Sequence, residues 1–343
     1  MTSGLLGSLR LVDADLADGA AVADLLAKVL SNGGVAKKSP DFWRWKHLDN
    51  PFGASCGVVA FDEEGVAVCS RPLMRWRLRT QSSDCITAVR PVDTATHPDW
   101  QGKGLFSSLT RVAIQRLDGS GARVLFNTPN KNSLPGYIKM GWVHVSRVDV
   151  FAIPALLRRP QDRPAKSADS DSRVLSFKLS SAHGESDAAT EMCAEVFQAM
   201  RLDESLRTEK STEFLRWRYA NHPNALYDAK VLLSASGRPI ACMIYRIEKR
   251  AGLVVAIACE LGECFRGAMR ELLGCARFDR RVSAIVYAGH GRFSKPAMLG
   301  PCGGFFVRSV PVVAKEMGAA HESSESAGLT KGLSLSLGDL ESF

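Results

Sequence analysis

The sequence predicts an α/β protein built from two copies of one domain. Strand-like apolar runs and segments of helical periodicity follow one another along the chain. A set of residues in the first half recurs at a fixed offset in the second half. The length of 343 residues exceeds what one ordinary hydrophobic core accommodates, which favours two domains.

The repeat keeps a constant spacing of 172 positions, for example 214 − 42. Ser39 and Ser211 precede the repeated segments, and a serine there is suited to cap a helix. A capped helix, a proline loop and a hairpin turn in one register predict two copies of one domain. The other matching pairs are Phe42 and Phe214, Arg44 and Arg216, Trp45 and Trp217, Pro51 and Pro223, and Gly65 and Gly237.

The elements of the first half follow from side-chain periodicity and from helix start and stop residues. Ser39, Pro40 and Asp41 favour a helix start, and Gly33 with Gly34 favours a helix end. The predicted order is a strand at 9–12, helices at 16–30 and 42–47, strands at 57–61, 66–79 and 85–96, a helix at 104–117, a strand at 123–126, a helix at 132–140 and a strand at 142–152.

Composition sets the predicted domain boundaries. Residues 158–172 are polar and contain prolines, which predicts a linker between a first domain at 1–157 and a second at 173–317. Residues 318–343 are rich in serine and glycine, which predicts a flexible tail.

Charge and cysteine usage narrow the class of protein. The net charge of +8 is suited to a polyanionic cofactor or an acidic acceptor, but no nucleic-acid motif with interleaved aromatic residues occurs. We therefore expect no nucleic-acid partner, although binding to nucleic acid is retained as an alternative. No apolar run reaches membrane-spanning length and no secretory signal is visible. Nine cysteines without a CxxC pair predict reduced thiols in a cytoplasm and no metal site.

The segment that indicates chemistry is the loop Gln101-Gly102-Lys103-Gly104. It joins a predicted strand to a predicted helix start. Glycines let a ligand approach the backbone, the amides converge on one spot, and the helix dipole favours negative charge there. Lys103 and nearby arginines could add positive charge. The loop therefore predicts a phosphate-binding site.

In this context the first half resembles the GNAT superfamily of acyl-CoA-dependent N-acyltransferases. The family's pyrophosphate signature, Gln/Arg-x-x-Gly-x-Gly/Ala, reads Gln101-x-x-Gly104-x-Phe106 here. Phe106 departs from the signature, and its side chain must point into the core or the acyl channel. A second family motif, Asn-x-x-Ser-x-x-x-Tyr-x-Lys-x-Gly-aromatic, matches Asn130, Ser133, Tyr137, Lys139 and Gly141-Trp142.

The resemblance implies two tandem GNAT-like domains, each a mixed, mostly antiparallel sheet flanked by helices. It implies acetyl-CoA or a longer acyl-CoA as co-substrate and direct attack of an amine on the thioester. Tyr137 would protonate the leaving thiolate, since a phenol holds its proton about as tightly as a thiol. The strand at Thr94–Thr96 would splay and polarise the thioester carbonyl. The implied cofactor-binding residues are Thr94, Ala95, Thr96, Gln101, Gly102, Lys103, Gly104, Leu105, Phe106, Ser107, Asn130 and Ser133.

The general base is open at this point. The family often places an acidic residue upstream on the same strand, but that register falls near Arg90. Asp93 and His97 are the nearest catalytic candidates. Asp93 could instead be a strand-end residue bonded to backbone, and His97 could be a packed turn residue. Water can also take the proton of an amine, so no dedicated base is required.

The second half lacks both family motifs. Glu260 and Glu263 would repel phosphates, and Gly300 occupies the tyrosine position. We therefore expect a degenerate copy. The resemblance implies an N-acyltransferase acting on a primary amine of a small molecule, such as an amino sugar, an aminoglycoside or a peptide or glycopeptide of natural-product biosynthesis, as a monomer or homodimer. A non-catalytic CoA-binding regulatory module is the main alternative.

Overall fold

In the computed structural model, the described residues are 6–30, 39–154, 173–179, 184–200, 205–249, 251–259, 271–272, 282–289, 305–317 and 332–340. The chain divides into two compact units. The first comprises Met1–Leu78, Cys85–Val145 and Val313–Thr330, and the second comprises Arg79–Asp84, Ser146–Val312 and Lys331–Phe343. The predicted linker at 158–172 lies outside the described residues, so the predicted domain boundaries stay a prediction.

The first unit contains the predicted elements in the predicted order. Its helix α1 starts at Gly19 rather than Leu16, because Leu16 lies in a turn where its side chain is exposed. The elements are β1 (Arg10–Asp13), α1 (Gly19–Leu30), α2 (Pro40–His47), β2 (Cys56–Phe61), β3 (Ala67–Arg79, in this unit to Leu78), β4 (Cys85–Pro91), β5 (Ala95–Thr96), α3 (Leu105–Gln115), β6 (Val124–Asn127), α4 (Leu134–Lys139) and the start of β7 (Val143–Pro154).

The sheet of the first unit is mixed and mostly antiparallel. Its order is β1-β2-β3-β4-β6, and residues Val313–Glu316 form the sixth strand, antiparallel to β6. β1 and β2 pair antiparallel, as do β2 and β3, whereas β4 and β6 run parallel. This agrees with the predicted fold class.

Side chains alternate between the two faces of this sheet, and each face packs against helices. Val59 and Phe61 join the core of α1 and α2 on one face. Val58 and Ala60 join the core on the other face, which includes Leu109 of α3. The alternation along β2 therefore fixes which helices cover which face, and it places α3 and α4 together.

In its described residues, the second unit repeats the first two helices and the main strands of this order, with β9 as an addition. Its elements are β7 (from Ser146), β8 (Arg173–Leu179), α5 (Gly184–Ala199), β9 (Leu206–Thr208), α6 (Thr212–Leu215) with the π-helical turn Arg216–Ala220, β10 (Tyr227–Leu233), β11 (Pro239–Glu248), β12 (Ala251–Cys259), β13 (Ala284–Gly289), β14 (Phe305–Glu316, in this unit to Val312), β15 (Leu333–Ser334) and the 3₁₀ turn Leu337–Asp339.

The sheet of the second unit has the same pairing pattern as the first. Its order is β8-β10-β11-β12-β13-β7. The β12–β13 pair is parallel, and the pairs β8–β10, β10–β11, β11–β12 and β13–β7 are antiparallel. One parallel pair at the same place in each sheet is the structural counterpart of the repeat in the sequence.

The repeated residues also share their local conformation. The side chain of Ser39 accepts a hydrogen bond from the Phe42 amide, and that of Ser211 accepts one from the Phe214 amide. Gly65 and Gly237 both have a left-handed backbone, with φ of 79° and 82°. The predicted helix caps and hairpin turns are therefore confirmed in both halves.

Each unit takes its last strand from the other half of the sequence. Val313–Glu316 pairs with β6, so the sixth strand of the first unit comes from near the end of the chain. Asp149–Pro154 of β7 pairs with β13 in the second unit, although β7 directly follows the first-half elements.

The segment 332–340 differs from the predicted flexible tail. Leu333, Leu335, Leu337 and Leu340 are buried, because they recur at intervals of two or three residues in an otherwise polar segment. Asp339 is also buried and its Oδ1 lies 3.1 Å from the Nζ of Lys210 within the same unit. The rest of the predicted tail, 318–331 and 341–343, lies outside the described residues.

Three further observations bear on the class of protein. No helix in the described part of the chain is long and apolar enough to span a membrane. Over the same part, no group of three potential metal ligands is present. Cys56, Cys69 and Cys193 are outside any disulfide.

The buried pair of Lys210 and Asp339 yields a stability prediction. Burial works against the charge of Asp339, but the nearby Lys210 ammonium and hydrogen bonds from Ser336 outweigh it and hold the pKa of Asp339 below its usual range. We expect Asp339→Asn to lower the free energy of unfolding by about 3 kcal/mol, because it leaves a buried ammonium without its carboxylate. Urea unfolding at neutral pH measures this loss.

The pH dependence has a defined sign. Because the pKa of Asp339 is lowered in the folded state, its contribution is full above about pH 4, the usual value for an unfolded aspartate, and is lost as the pH falls through the folded value. The control is Asp187→Asn, which breaks an exposed pair with Arg216 and should cost about 0–1 kcal/mol. Equal losses for the two variants would contradict the prediction.

Candidate active site

The loop predicted to bind phosphate has the backbone that such a site requires. Gly102 and Gly104 adopt left-handed conformations, with φ of 71° and 80°, and Gly104 directly precedes α3. The Gln101 amide donates to the Pro98 carbonyl and the Ser108 amide donates to the Gly104 carbonyl. Between them, in this fully described stretch, no amide of residues 102–107 donates to a protein acceptor. These amides are available to a ligand.

Side chains around the loop support it without filling it. The Gln101 Nε2 donates to the Thr96 carbonyl at 3.0 Å, which ties the loop to the end of β5. The Lys103 ammonium lies 4.9 Å from the centroid of the Trp100 ring. Residues 101–104 are all exposed. The loop therefore presents a positive, accessible helix start.

The strand that leads into this loop leaves its parallel neighbour. The β4–β6 ladder contains Ala88–Val124 and Val89–Leu125 and ends there. Asp93 then has a left-handed backbone, with φ of 43°, and Ala95 and Thr96 of β5 pair with β3 instead. The predicted single strand at 85–96 is therefore interrupted. Its interruption lies where the sequence predicted that the strand would splay.

Tyr137 is buried and contacts β6 at Asn127, close to where β4 and β6 separate. Its side chain is 2% exposed, and its hydroxyl oxygen accepts from Arg71 Nη2 at 3.0 Å and from Asn127 Nδ2 at 2.7 Å. Its ring lies edge-on to Trp142 and to Phe106. Phe106 therefore points towards Tyr137, which is one of the two directions expected from its departure from the family signature.

Arg71 connects the elements around Tyr137. It is fully buried on β3. Its Nε donates to Thr110 Oγ1 of α3 at 2.8 Å and its Nη1 donates to Thr94 Oγ1 at 2.5 Å. Its guanidinium carbon lies 4.6 Å from the centroid of the Phe106 ring. The sequence patterns singled out neither Arg71 nor Asn127.

Asp93 lies in a buried polar cluster. Its Oδ2 is 2.8 Å from Lys46 Nζ and 3.0 Å from His47 Nε2. The other ring nitrogen of His47 lies 2.9 Å from Ser55 Oγ. The carboxylate thus has cationic and ring N–H partners from α2, so its contacts hold the left-handed turn at residue 93 against α2. Its predicted role as a base stays a prediction.

His97 caps the short 3₁₀ turn Pro98–Trp100. Its Nε2 lies 2.7 Å from Lys28 Nζ, and its Nδ1 lies 3.3 Å from the Asp99 amide and 3.6 Å from the Asp99 carboxylate. Both nitrogens are therefore engaged, as expected of the packed turn residue that was the alternative to a base.

Asn130 and Ser133 form a local turn before α4. The Asn130 Oδ1 accepts from the amides of Asn132 and Ser133, both at 3.0 Å. The Ser133 hydroxyl also donates to Asn130 Oδ1 at 3.2 Å. These contacts start α4 and so position Tyr137. Direct binding of cofactor by these two residues stays a prediction.

Comparison with known proteins decides the family of this site. The family model described as acetyltransferase (GNAT) domain matches residues 20–145, which include the loop, Arg71 and all of α4 with Tyr137. Residues 20–145 are therefore similar to the GNAT acetyltransferase domain. Comparison with curated protein sequences gave no match.

Solved GNAT structures share the fold over most of the chain. A conserved protein of unknown function from Enterococcus faecalis V583, described as a probable N-acyltransferase, has a TM-score of 0.68 and 14% identity, covering 90% of this chain and 72% of that one. A GCN5-related N-acetyltransferase from Anabaena variabilis ATCC 29413 has a TM-score of 0.63 and 9% identity, covering 89% and 72%. A tandem GNAT protein from the clavulanic acid biosynthesis pathway has a TM-score of 0.57 and 14% identity, covering 91% and 100%.

The counterpart of the site in the second half lies outside the described residues. The segments that carry Glu260, Glu263 and Gly300, on which the predicted loss of CoA binding rests, fall in that part. The prediction of a degenerate second copy therefore stays a prediction.

The left-handed backbone of Gly102 yields a prediction about ligand affinity. No atom lies within 4 Å of a Cβ added there, so Gly102→Ala is opposed only by backbone conformation, at about 1 kcal/mol. We expect the loop of the free variant to relax, so that ligand binding must restore it. The Kd for coenzyme A should rise about fivefold in isothermal titration calorimetry.

A matched control is Gly119→Ala. Gly119 also has a left-handed backbone, with φ of 78° and open space, but it lies after α3 and outside the loop. Both variants should lose similar stability, and only Gly102→Ala should weaken binding. A Kd unchanged by Gly102→Ala would show that this loop does not hold coenzyme A.

Proposed function

We propose that the GNAT domain transfers an acetyl or longer acyl group from coenzyme A to a primary amine of a small molecule. The observation that carries this proposal is the pairing of two features at one opening of the sheet. The amides of residues 102–107, which donate to no protein acceptor, lead into α3. Tyr137 lies on the adjacent α4, and its hydroxyl oxygen accepts hydrogen bonds from Arg71 and Asn127. The first feature suits a diphosphate and the second suits a leaving thiolate.

The reaction needs no covalent enzyme intermediate. The amine nitrogen attacks the acyl carbon, the carbon–sulfur bond breaks and its electron pair leaves with sulfur, which takes the Tyr137 proton. The nitrogen loses its extra proton to water, and water reprotonates Tyr137. Backbone amides near Thr94–Thr96, where the strand leaves its parallel neighbour, would polarise the thioester carbonyl.

The contacts of Asp93 and His97 bear on which group acts as the general base. Asp93 is paired with Lys46 and His47, and both nitrogens of His97 are engaged. We infer that Asp93 acts chiefly by shaping the strand opening and that solvent accepts the amine proton. This inference is compatible with amine acceptors that are partly neutral at working pH.

The acceptor class rests on analogy with similar proteins. One similar structure, a tandem GNAT protein that is covered completely and matches 91% of this chain, comes from the clavulanic acid biosynthesis pathway. We therefore propose an amino sugar, an aminoglycoside or a peptide or glycopeptide natural product as acceptor, with action as a monomer or homodimer in the cytoplasm. At 14% identity the comparison supports the fold, and the acceptor class is our proposal.

Removing the Tyr137 hydroxyl separates a catalyst from a CoA sensor. We expect Tyr137→Phe to lower kcat about 100-fold or more, because the leaving thiolate loses its proton donor. The Kd for coenzyme A should stay within about threefold, since the phosphates bind at the loop. Stopped-flow thiol release and calorimetry measure the two quantities. Equal turnover in the wild-type chain and in Tyr137→Phe would favour a non-catalytic CoA-binding regulatory module.

Tyr219→Phe is the matched control. Tyr219 lies in the second unit, and its buried hydroxyl has no hydrogen-bond partner in the described part of the chain. Burial raises the pKa of Tyr219 well above its usual range, so the phenol is neutral at working pH. Loss of this hydroxyl should leave turnover unchanged and stability equal or higher.

Acyl length and acceptor can be measured with one assay. Acyl-CoAs of increasing chain length are combined with a panel of amino sugars, aminoglycosides and peptides, and free thiol is followed with time. We expect release only when a primary amine is present, and mass spectrometry should find the acyl group on that amine. Tight CoA binding without thiol release for every pair would contradict the proposed transfer.

A further inference from the structure

The candidate site contains a buried cation, the guanidinium of Arg71, which contacts no carboxylate among the described residues. Arg71 is 0% exposed, and in the described part of the chain no Asp or Glu oxygen lies within 4.0 Å of its nitrogens. Its partners are neutral oxygens of Thr94, Thr110 and Tyr137 and the ring faces of Phe106 and Tyr137. Burying an arginine without a counter-ion opposes folding, and an arginine cannot lose its proton in a protein. Stability alone does not account for this residue.

The contacts of Arg71 determine which role Tyr137 can take. A phenol oxygen has two acceptor positions and one proton. Arg71 Nη2 and Asn127 Nδ2, at 3.0 Å and 2.7 Å, fill the two acceptor positions. Neither of these partners can accept a proton. The Tyr137 proton is therefore directed away from both, and the hydroxyl is held as a donor.

The orientation of Asn127 is also fixed. Its Oδ1 accepts from the Thr128 amide at 2.8 Å, so the side-chain NH₂ group must be the end that faces Tyr137. Asn127 is buried on β6, and Thr94 and Arg71 come from the opposite side of the opening. Donors from two strands, β3 and β6, thus converge on one hydroxyl oxygen that is carried by α4.

We propose that Arg71 is a positioning residue for acyl transfer: it holds Tyr137 as a proton donor and stabilises the negative charge that forms on the phenol oxygen. This inference rests on the proposed function. As the carbon–sulfur bond breaks, sulfur takes the Tyr137 proton and charge passes to an oxygen 3.0 Å from a guanidinium nitrogen. In a buried site that charge pair is worth far more than in water. The Arg71 guanidinium, which contacts no carboxylate of the described residues, thus gains an anionic partner only during the reaction.

A double-mutant cycle tests the proposal. Arg71→Met is measured in the wild-type chain and in the Tyr137→Phe background, with thiol release and calorimetry as readouts. We expect kcat to fall about 100-fold in the first case and less than about twofold in the second, because the effect of Arg71 passes through the Tyr137 hydroxyl. The Kd for coenzyme A should stay within about threefold in all four proteins.

A merely structural role would give a different result. Loss of packing would lower kcat by the same factor in both backgrounds, or would raise the Kd for coenzyme A, and either result would overturn the proposal. If Arg71→Met does not fold, the cycle is run with Arg71→Lys. That variant keeps a positive charge but cannot reach three acceptors at once, so its loss of kcat should be smaller yet still absent without the hydroxyl.

The failure of this proposal is distinguishable from failure of the proposed function. If the wild-type chain releases no thiol from any pair of acyl-CoA and amine, the proposed acyl transfer is contradicted. If the wild-type chain releases thiol but Arg71→Met lowers kcat by the same factor in both backgrounds, only the proposed role of Arg71 is contradicted. Asn127→Leu supplies an independent check, because it removes the other donor and should also lose its effect on kcat in the Tyr137→Phe background.

Discussion

The buried guanidinium of Arg71, which contacts no carboxylate among the described residues, is the constraint on which the geometry of the candidate site depends. Because an arginine keeps its charge at any working pH, its N–H groups must be met by oxygens and its faces by aromatic rings. Arg71 finds them on α3, on α4 and at the strand end near Thr94. Each of these elements carries a different part of the candidate site. The hydrogen bonds of Arg71 therefore fix the relative positions of the loop, the splayed strand and Tyr137.

The backbone around the site is shaped by a few left-handed residues. Asp93, Gly102 and Gly104 all have positive φ, and they turn the chain out of the sheet, around the loop and into α3. Glycine adopts this conformation without steric strain, whereas aspartate adopts it at a cost of about 1 kcal/mol. At residue 93 the contacts with Lys46 and His47 offset that cost. A strained polar residue beside a reaction site is a recurring feature of enzymes.

Much of the fold could be predicted from local signals in the sequence. The Ser39 and Ser211 caps, the turn glycines and the α3 start depend on residues close together in the chain, and their predicted positions agree with the structure. The loop and Tyr137 could be proposed because their motifs are contiguous. Arg71 and Asn127 could not, since their meeting on Tyr137 depends on strands and helices far apart in sequence. The packed segment at 332–340 was missed for a similar reason: its leucines are spaced within a polar stretch, and Asp339 finds Lys210 only after folding.

The exchange of last strands limits how far the two halves can be treated as modules. The sheet position beside β6 is filled by Val313–Glu316, and that beside β13 by part of β7. A fragment cut between the repeats would leave each open edge with unpaired amides and carbonyls, which attract other chains. The two copies therefore depend on one continuous polypeptide: removal of either copy would leave the sheet of the other with an edge that foreign strands could join.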